Sequence, residues 1–263
     1  MSWGGLLHHQ VTGPPEAPVI VLSNSLGTDT RLWDLQVDAL SERLRVVRYD
    51  HRGHGRSPVP RGPYALQDLS RDVLRLLDHL GVARASLCGV SLGGMVGIWL
   101  GAYAPERIER LVLCCTSAHL PPGDAWVERA RAVRAAGSTA VVADAVLARW
   151  LTADGLDEDP VRAAALRSML VATPAEGYAG CCEAISRLDL RDALGRIVAP
   201  TLAIAGADDP ATPPEHLRAI ANGILGARLE VLEGAAHLAN LERPDALTAL
   251  VLEHCAAPEV DRA

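Results

Sequence analysis

The feature that most constrains the fold of this chain is a regular alternation of short apolar runs with amphipathic segments. Short apolar runs bounded by turn residues are typical of buried strands. The predicted strands are residues 18–23, 44–49, 85–88, 111–115, 201–205 and 228–232, with residues 6–11 as a candidate antiparallel edge strand. The predicted helices between them are residues 66–80, 93–103, 214–222 and 244–255. This alternation predicts an α/β fold with a mostly parallel sheet covered by helices on both faces.

The alternation stops between residues 120 and 191. This stretch has no strand pattern and predicts four short helices, at residues 124–136, 139–151, 160–171 and 175–187. The predicted breaks between them are Gly137, Asp154-Gly155 and Thr173-Pro174. A helical block inside an α/β chain predicts a cap over one end of the sheet. We therefore expect an α/β core formed by residues 1–119 and 192–263, and a helical cap formed by residues 120–191.

Composition and charge exclude several classes of protein. The 263 residues carry a net charge of −7 at pH 7, which disfavours a nucleic-acid partner. The longest uncharged apolar stretch, residues 93–104, is shorter than the ~20 residues that a transmembrane helix needs. The N-terminus lacks the pattern of a signal peptide, so we expect a cytoplasmic protein without a membrane partner. A homo-oligomer is compatible with the sequence.

The cysteines and histidines do not form a metal-ligand pattern. None of the six cysteines forms CxxC and most lie in apolar runs, so we interpret them as small buried hydrophobic residues. No glycine loop has the spacing of a nucleotide-binding motif. We therefore expect neither a metal site nor a cofactor.

The motif with the most specific chemistry is Gly89-Val90-Ser91-Leu92-Gly93, which follows a predicted strand and begins a predicted helix. A serine on so tight a turn needs neighbours without side chains two positions away, so that strand and helix can approach each other. The helix N-terminus then places partial positive charge beside a developing oxyanion. We predict that Ser91 is a catalytic nucleophile. The alternative is a glycine-rich turn with an incidental serine.

A serine nucleophile needs a histidine that accepts its proton and a carboxylate that orients the histidine. Of the nine histidines, His237 has both the position after a core strand and small neighbours. Asp209 follows the preceding strand, and triads of this kind have the chain order serine, acid, histidine. Asp208 is the rival acid; we favour Asp209 because the following proline fixes its turn. The loop after residues 111–115 offers no carboxylate.

Two backbone N–H groups must bind the oxyanion. Leu92, which follows the nucleophile, supplies the first, and Leu26, in the loop after residues 18–23, is the candidate for the second. The alternative for this loop is an ordinary turn at a strand end. His51 and His54 lie in another turn, Asp50-His51-Arg52-Gly53-His54-Gly55, whose glycines and charges we expect to fix the loop. His119 is a candidate substrate contact.

These motifs together resemble the α/β-hydrolase superfamily over nearly the whole chain, and within it the 3-oxoadipate enol-lactonases. The narrower likeness rests on Ser23-Asn24-Ser25-Leu26-Gly27, on Trp126-Val127-Glu128-Arg129 at the start of the cap, and on the segment 207–214 around the acid. The resemblance implies a cofactor-free esterase that opens 3-oxoadipate enol-lactone to 3-oxoadipate. This reaction belongs to the β-ketoadipate pathway of aromatic-compound degradation.

The resemblance also implies a small anionic lactone substrate, whose carboxylate needs a cation. Arg129 is the candidate because its guanidinium can bind a carboxylate through two hydrogen bonds, and Trp126 would form a wall of the pocket. The alternative is that Arg129 is a solvated cap arginine. Two other enzyme interpretations retain the triad: a carboxylesterase, or a hydrolase that cleaves a carbon–carbon bond of another ring-cleavage product. The non-enzyme alternative is a catalytically silent, ligand-binding relative.

Overall fold

The computed structural model describes residues 5–256, so residues 1–4 and 257–263 of the two predicted core segments lie outside the described residues. Within these residues, one sheet contains seven strands: β1 (His9–Thr12), β2 (Val19–Ser23), β3 (Arg45–Tyr49), β4 (Ala85–Val90), β5 (Ile108–Cys114), β6 (Thr201–Gly206) and β7 (Arg228–Leu232). Their spatial order is β1-β3-β2-β4-β5-β6-β7. β1 is antiparallel to β3, and every other neighbouring pair is parallel.

Helices flank the sheet and form the cap. The α-helices of residues 5–256 are α1 (Asp34–Ser41), α2 (Leu66–His79), α3 (Leu92–Tyr103), α4 (Gly123–Ala136), α5 (Ala143–Trp150), α6 (Ala153–Glu158), α7 (Pro160–Ala172), α8 (Ala175–Ser186), α9 (Pro214–Gly223), α10 (Ala239–Glu242) and α11 (Pro244–Cys255). Short 3-10 helices lie at Thr30–Trp33, Pro105–Arg107, Thr139–Val142 and Arg191–Arg196.

The predicted α/β architecture is confirmed. All predicted strands and core helices are present, and their ends differ from the prediction by at most three residues. The candidate edge strand is β1, which starts at His9 and pairs only with β3. The central strands β4 and β6 are buried along their whole length, because helices cover both faces of a parallel sheet. The six cysteines are buried and unpaired, as predicted.

The helical cap is also present, with two corrections to its predicted helices. The predicted break at Asp154-Gly155 is wrong, because both residues lie in α6. The hydroxyl of Thr152 accepts a hydrogen bond from the N–H of Gly155 and caps this helix, and an acidic residue in a first turn is favourable. The predicted helix 139–151 is a 3-10 turn followed by α5. The exact boundaries of the cap, residues 120–191, stay a prediction.

Two core helices were not predicted, α1 and the short α10. Val37 and Leu40 lie on the buried side of α1, and Gln36 is buried with them. A polar residue among the buried positions weakens the helical pattern in the sequence. Within residues 5–256, no helix is both long and apolar enough to cross a bilayer.

Candidate active site

The predicted nucleophile lies on a strained turn between β4 and α3. The backbone of Ser91 has φ 56° and ψ −115°, values that residues with side chains rarely adopt. A Cβ on Gly89 would lie 2.3 Å from the carbonyl carbon of Gly93, and one on Gly93 would lie 2.2 Å from the carbonyl oxygen of Ser23. Both distances are too short for a side chain, so the two glycines permit the close approach of strand, helix and loop.

Hydrogen bonds hold the backbone of Ser91 in this conformation. Its N–H donates to the carbonyl of Cys114 at 3.0 Å. Its carbonyl accepts from the N–H of Met95 at 3.0 Å and from the hydroxyl of Thr116 at 2.6 Å. The neighbouring strand and the first turn of α3 therefore fix the position from which the Ser91 hydroxyl enters the cavity.

The candidate histidine and acid are in direct contact. Nδ1 of His237 lies 2.8 Å from Oδ2 of Asp209, and both residues are buried. The same Oδ2 accepts from the hydroxyl of Thr212 at 2.7 Å, while Oδ1 accepts from the N–H groups of Ala211 and Thr212 at 2.7 and 3.0 Å. Burial raises the pKa of Asp209, but the charge and hydrogen bond of His237 and the bonds from Thr212 outweigh burial and leave the pKa below its usual value. Asp209 is therefore a carboxylate at neutral pH.

The rival acid is in a different environment. Asp208 is exposed and lines a surface groove with Gly234 and Glu242. Its backbone N–H donates to the carbonyl of Ala235. The tertiary structure thus brings Asp209, and not Asp208, to His237.

Ser91 and His237 line the same cavity, which has a volume of about 270 Å³. The predicted cap residues Trp126 and Arg129 line it as well, and the guanidinium of Arg129 stacks over the Trp126 ring at 4.6 Å from its centroid. His119 does not line this cavity; its Nδ1 lies 2.9 Å from the carbonyl oxygen of Leu188. Trp126 and Arg129 therefore line the same cavity as Ser91 and His237, and His119 lies outside it.

The cavity has a second cation that sequence analysis missed. Arg149 of α5 lines it together with Trp150 and Tyr178. Burial raises the pKa of the Tyr178 hydroxyl above its usual value, and the charges of Arg129 and Arg149 both act against this rise. The cap ion pairs within residues 5–256 involve other arginines, and none involves Arg129 or Arg149. Nothing in the local sequence separates Arg149 from the many surface arginines, because its partners come from other helices.

The loop that carries Leu26 is held by side chains from two other segments. Leu26 lines the cavity, and its N–H donates to no acceptor within residues 5–256. The N–H of Gly27 donates to Nε2 of His54 at 3.0 Å, and Nε2 of His51 lies 3.0 Å from the carbonyl oxygen of Asn24. Trp33 donates to the side-chain oxygen of Asn24 at 2.9 Å. A free N–H on a rigid loop is what an oxyanion hole requires.

Comparison with known proteins agrees with this fold and geometry. A family model described as the alpha/beta hydrolase fold matches residues 18–244. The chain belongs to the α/β-hydrolase family. Within residues 5–256, no group of three or more histidine, cysteine or acidic side chains is arranged to hold a metal ion.

Individual relatives narrow the likeness. The chain is 40% identical over 240 residues to 3-oxoadipate enol-lactonase 2 of Acinetobacter baylyi. The matched region covers 91% of this chain and 89% of that protein. It is 47% identical to the enol-lactonase of Burkholderia xenovorans LB400, whose crystal structure matches with a TM-score of 0.93 over 95% of this chain and 96% of that chain. A thermophilic esterase from Thermogutta terrifontis, at 27% identity, matches with a TM-score of 0.89 over 94% of this chain and 92% of that chain.

His51 and His54, which hold the loop that carries Leu26, should make the protein less stable in acid. Burial, followed by the charge of His54, lowers the pKa of His51 to about 3, and burial also lowers the pKa of His54. An unfolded histidine has a pKa of about 6.5. Below this pH the unfolded chain takes up protons that the folded protein excludes. The contribution of His51 to the free energy of unfolding should therefore be fully retained above pH ~6.5 and should fall by up to about 1.4 kcal/mol per pH unit below it. His54 should add to the loss in the same direction.

Urea unfolding between pH 7.5 and 4.5 measures this slope. His51→Gln should flatten it, because glutamine retains a donor for the Asn24 carbonyl but does not titrate. His79→Gln, at an exposed position, serves as the control and should leave the slope unchanged. Equal slopes in the wild type and His51→Gln would contradict the assignment.

Proposed function

We propose that this protein is a carboxylic ester hydrolase that opens 3-oxoadipate enol-lactone to 3-oxoadipate through an acyl-enzyme on Ser91. The observation that carries this proposal is one cavity that holds a serine, a histidine bonded to a carboxylate and two arginines, neither of which has a carboxylate partner among residues 5–256. The likeness to named enol-lactonases over about nine tenths of the chain supports the substrate. This reaction places the enzyme in the β-ketoadipate pathway of aromatic-compound degradation.

The first half of the reaction forms the acyl-enzyme. Asp209 accepts a hydrogen bond from the protonated Nδ1 of His237, so Nε2 carries a lone pair and takes the proton from the Ser91 hydroxyl. The serine oxygen attacks the lactone carbonyl, and the N–H groups of Leu26 and Leu92 bind the oxyanion. The ring C–O bond then breaks, and His237 returns the proton to the departing enol oxygen. The ring-opened enol can rearrange to the ketone.

The second half releases the product. His237 removes a proton from water, and the resulting hydroxide attacks the acyl carbonyl. The bond to Ser91 breaks, and His237 returns the proton to the serine oxygen. An enol is a good leaving group, so the ester chemistry itself is easy. Selectivity should therefore depend on how the cap binds the rest of the substrate.

The substrate carboxylate provides a test of the cap. Arg129→Ala should raise KM for the enol-lactone by about 10- to 100-fold, the value of a charge-assisted hydrogen-bond pair, and should change KM for a neutral ester much less. Steady-state kinetics on both substrates measures the difference. Arg131→Ala, on the exposed side of the same helix, is the matched control. An equal rise for both substrates would show that Arg129 shapes the pocket without recognising charge.

The structural likeness to an esterase defines the competing substrate class. A panel of neutral esters, compared with freshly generated enol-lactone, separates the two. A higher kcat/KM for the enol-lactone than for every neutral ester supports the proposal. A preference for neutral esters would favour a carboxylesterase with the same triad.

A further inference from the structure

The carboxylate of Glu242 joins the cap to the segment that carries His237. Glu242 ends α10, which begins two residues after His237 in the chain. Oε2 accepts a hydrogen bond from the N–H of Ala236 at 2.7 Å. Oε1 accepts from the N–H and the hydroxyl of Thr152, at 2.8 and 2.7 Å. One side chain therefore binds the residue before His237 and the residue that begins a cap helix.

A second contact between cap and core lies on the other side of His237. The N–H of Leu238 donates to the carbonyl of Trp150 at 2.8 Å. Trp150 ends α5 and lines the cavity beside His237. The N–H groups of Ala236 and Leu238, on either side of His237, are thus both linked to the cap. The first is linked to Thr152 through Glu242, and the second bonds directly to Trp150.

The helix that carries Glu242 is itself attached to the core. The side chain of Asn240 donates to the carbonyl of Leu32, and the side chain of Gln36 donates to the carbonyl of Asn240, each at 2.8 Å. All three residues are buried. Glu242 therefore projects from a fixed element, and a movement of Thr152 must change either its own bond or the position of the carboxylate.

The cap packs closely against this carboxylate. A Cβ on Gly155, in the first turn of α6, would lie 2.4 Å from Oε1 of Glu242. The hydroxyl of Thr152 uses its other side to accept from the N–H of Gly155. The hydroxyl that donates to Glu242 therefore also caps the N-terminus of α6, so the orientation of this helix is coupled to Glu242.

We propose that Glu242 is a positioning residue that aligns His237 with the cap. It keeps the imidazole that transfers the proton at a fixed position relative to the cap residues that bind the substrate. This inference rests on the proposed role of His237 as the general base. A carboxylate suits the task because it is only an acceptor, and all three of its partners are donors. A glutamine would present N–H groups to one of them and lose at least one bond.

The test compares Glu242→Gln with Glu158→Gln. Glu158 is exposed and lines the same surface groove, so its replacement makes the same charge change without the link. We expect Glu242→Gln to lower kcat by about 10- to 100-fold, as displacements of a catalytic group by about 1 Å do, for both the enol-lactone and the neutral ester p-nitrophenyl acetate. KM for each substrate should change much less. Glu158→Gln should behave as the wild type.

A readout independent of the substrate separates this proposal from the proposed function. The rate at which a fluorophosphonate labels Ser91 depends on His237 and not on the lactone, and we expect it to fall in Glu242→Gln in parallel with kcat. If the wild type labels and hydrolyses p-nitrophenyl acetate but not the enol-lactone, the substrate proposal fails and the Glu242 comparison still applies. A lower Tm with unchanged kcat and labelling in Glu242→Gln would reduce Glu242 to a structural role and overturn the inference.

Variants of Thr152 test the link from the cap side, including the case in which Glu242→Gln does not fold. Thr152→Val removes the hydroxyl and should lower kcat in the same direction, whereas Thr152→Ser retains the hydroxyl and should restore it. In the double variant, Thr152→Val should add little to the effect of Glu242→Gln, because both act on one contact. Fully additive effects, or equal kcat in Thr152→Val and Thr152→Ser, would overturn the inference.

Discussion

Replacement of Ser91 by alanine should lower kcat by at least about 10⁴-fold, with the fold retained. The hydroxyl forms the acyl-enzyme, and no other group in the proposed reaction can replace it. Alanine also fits the turn, because the backbone at this position is held by bonds to Cys114, Met95 and Thr116 that involve no atom of the serine side chain. Lactone hydrolysis and thermal unfolding, measured on the same preparation, check both statements.

The control is the second serine that lines the cavity. Ser25 precedes Leu26 in the loop after β2 and lines the same cavity. In the wild type and in Ser25→Ala, a fluorophosphonate should label one residue, which peptide mass analysis should identify as Ser91. Ser91→Ala should not be labelled. Turnover of Ser91→Ala at the wild-type rate would exclude Ser91 as the nucleophile.

Asp209→Asn should lower kcat by about 10⁴-fold. The carboxylate accepts a hydrogen bond from the protonated Nδ1 of His237, and this bond leaves Nε2 free to act as the base. An asparagine can instead donate to Nδ1 and favour the wrong tautomer. The variant also lacks the negative charge that stabilises the protonated imidazole during the reaction.

Asp208→Asn is the matched control, since it makes the same substitution one residue earlier on an exposed side chain. It should retain the activity of the wild type. Steady-state kinetics on the enol-lactone and on a neutral ester should show the same contrast, because the acid acts on the histidine and not on the substrate. Similar losses in the two variants would contradict the assignment of Asp209 as the single acid.

The elements of the fold could be predicted because they depend on local patterns. Each core strand is a short apolar run, and a helix such as α2 has apolar residues at helical spacing. The strained turn at Ser91 could be predicted for the same reason: Gly89, Ser91 and Gly93 are close in the chain, and their spacing reflects a local steric requirement. The helix α6 could not, because its Asp-Gly pair is a common turn signal, and the hydrogen bond that the N–H of Gly155 donates to the Thr152 hydroxyl decides the outcome.

The sequence by itself determined the order of strands and helices, the strained turn at Ser91 and a short set of candidate partners. Only the tertiary structure decided which of Asp208 and Asp209 contacts His237, that Arg149 shares the cavity with Arg129, and that Glu242 bonds to Thr152. The physical reason is that these contacts join segments far apart in the chain. Their distances depend on how neighbouring strands pair and how the cap packs on the core, and no local pattern of residues records that packing.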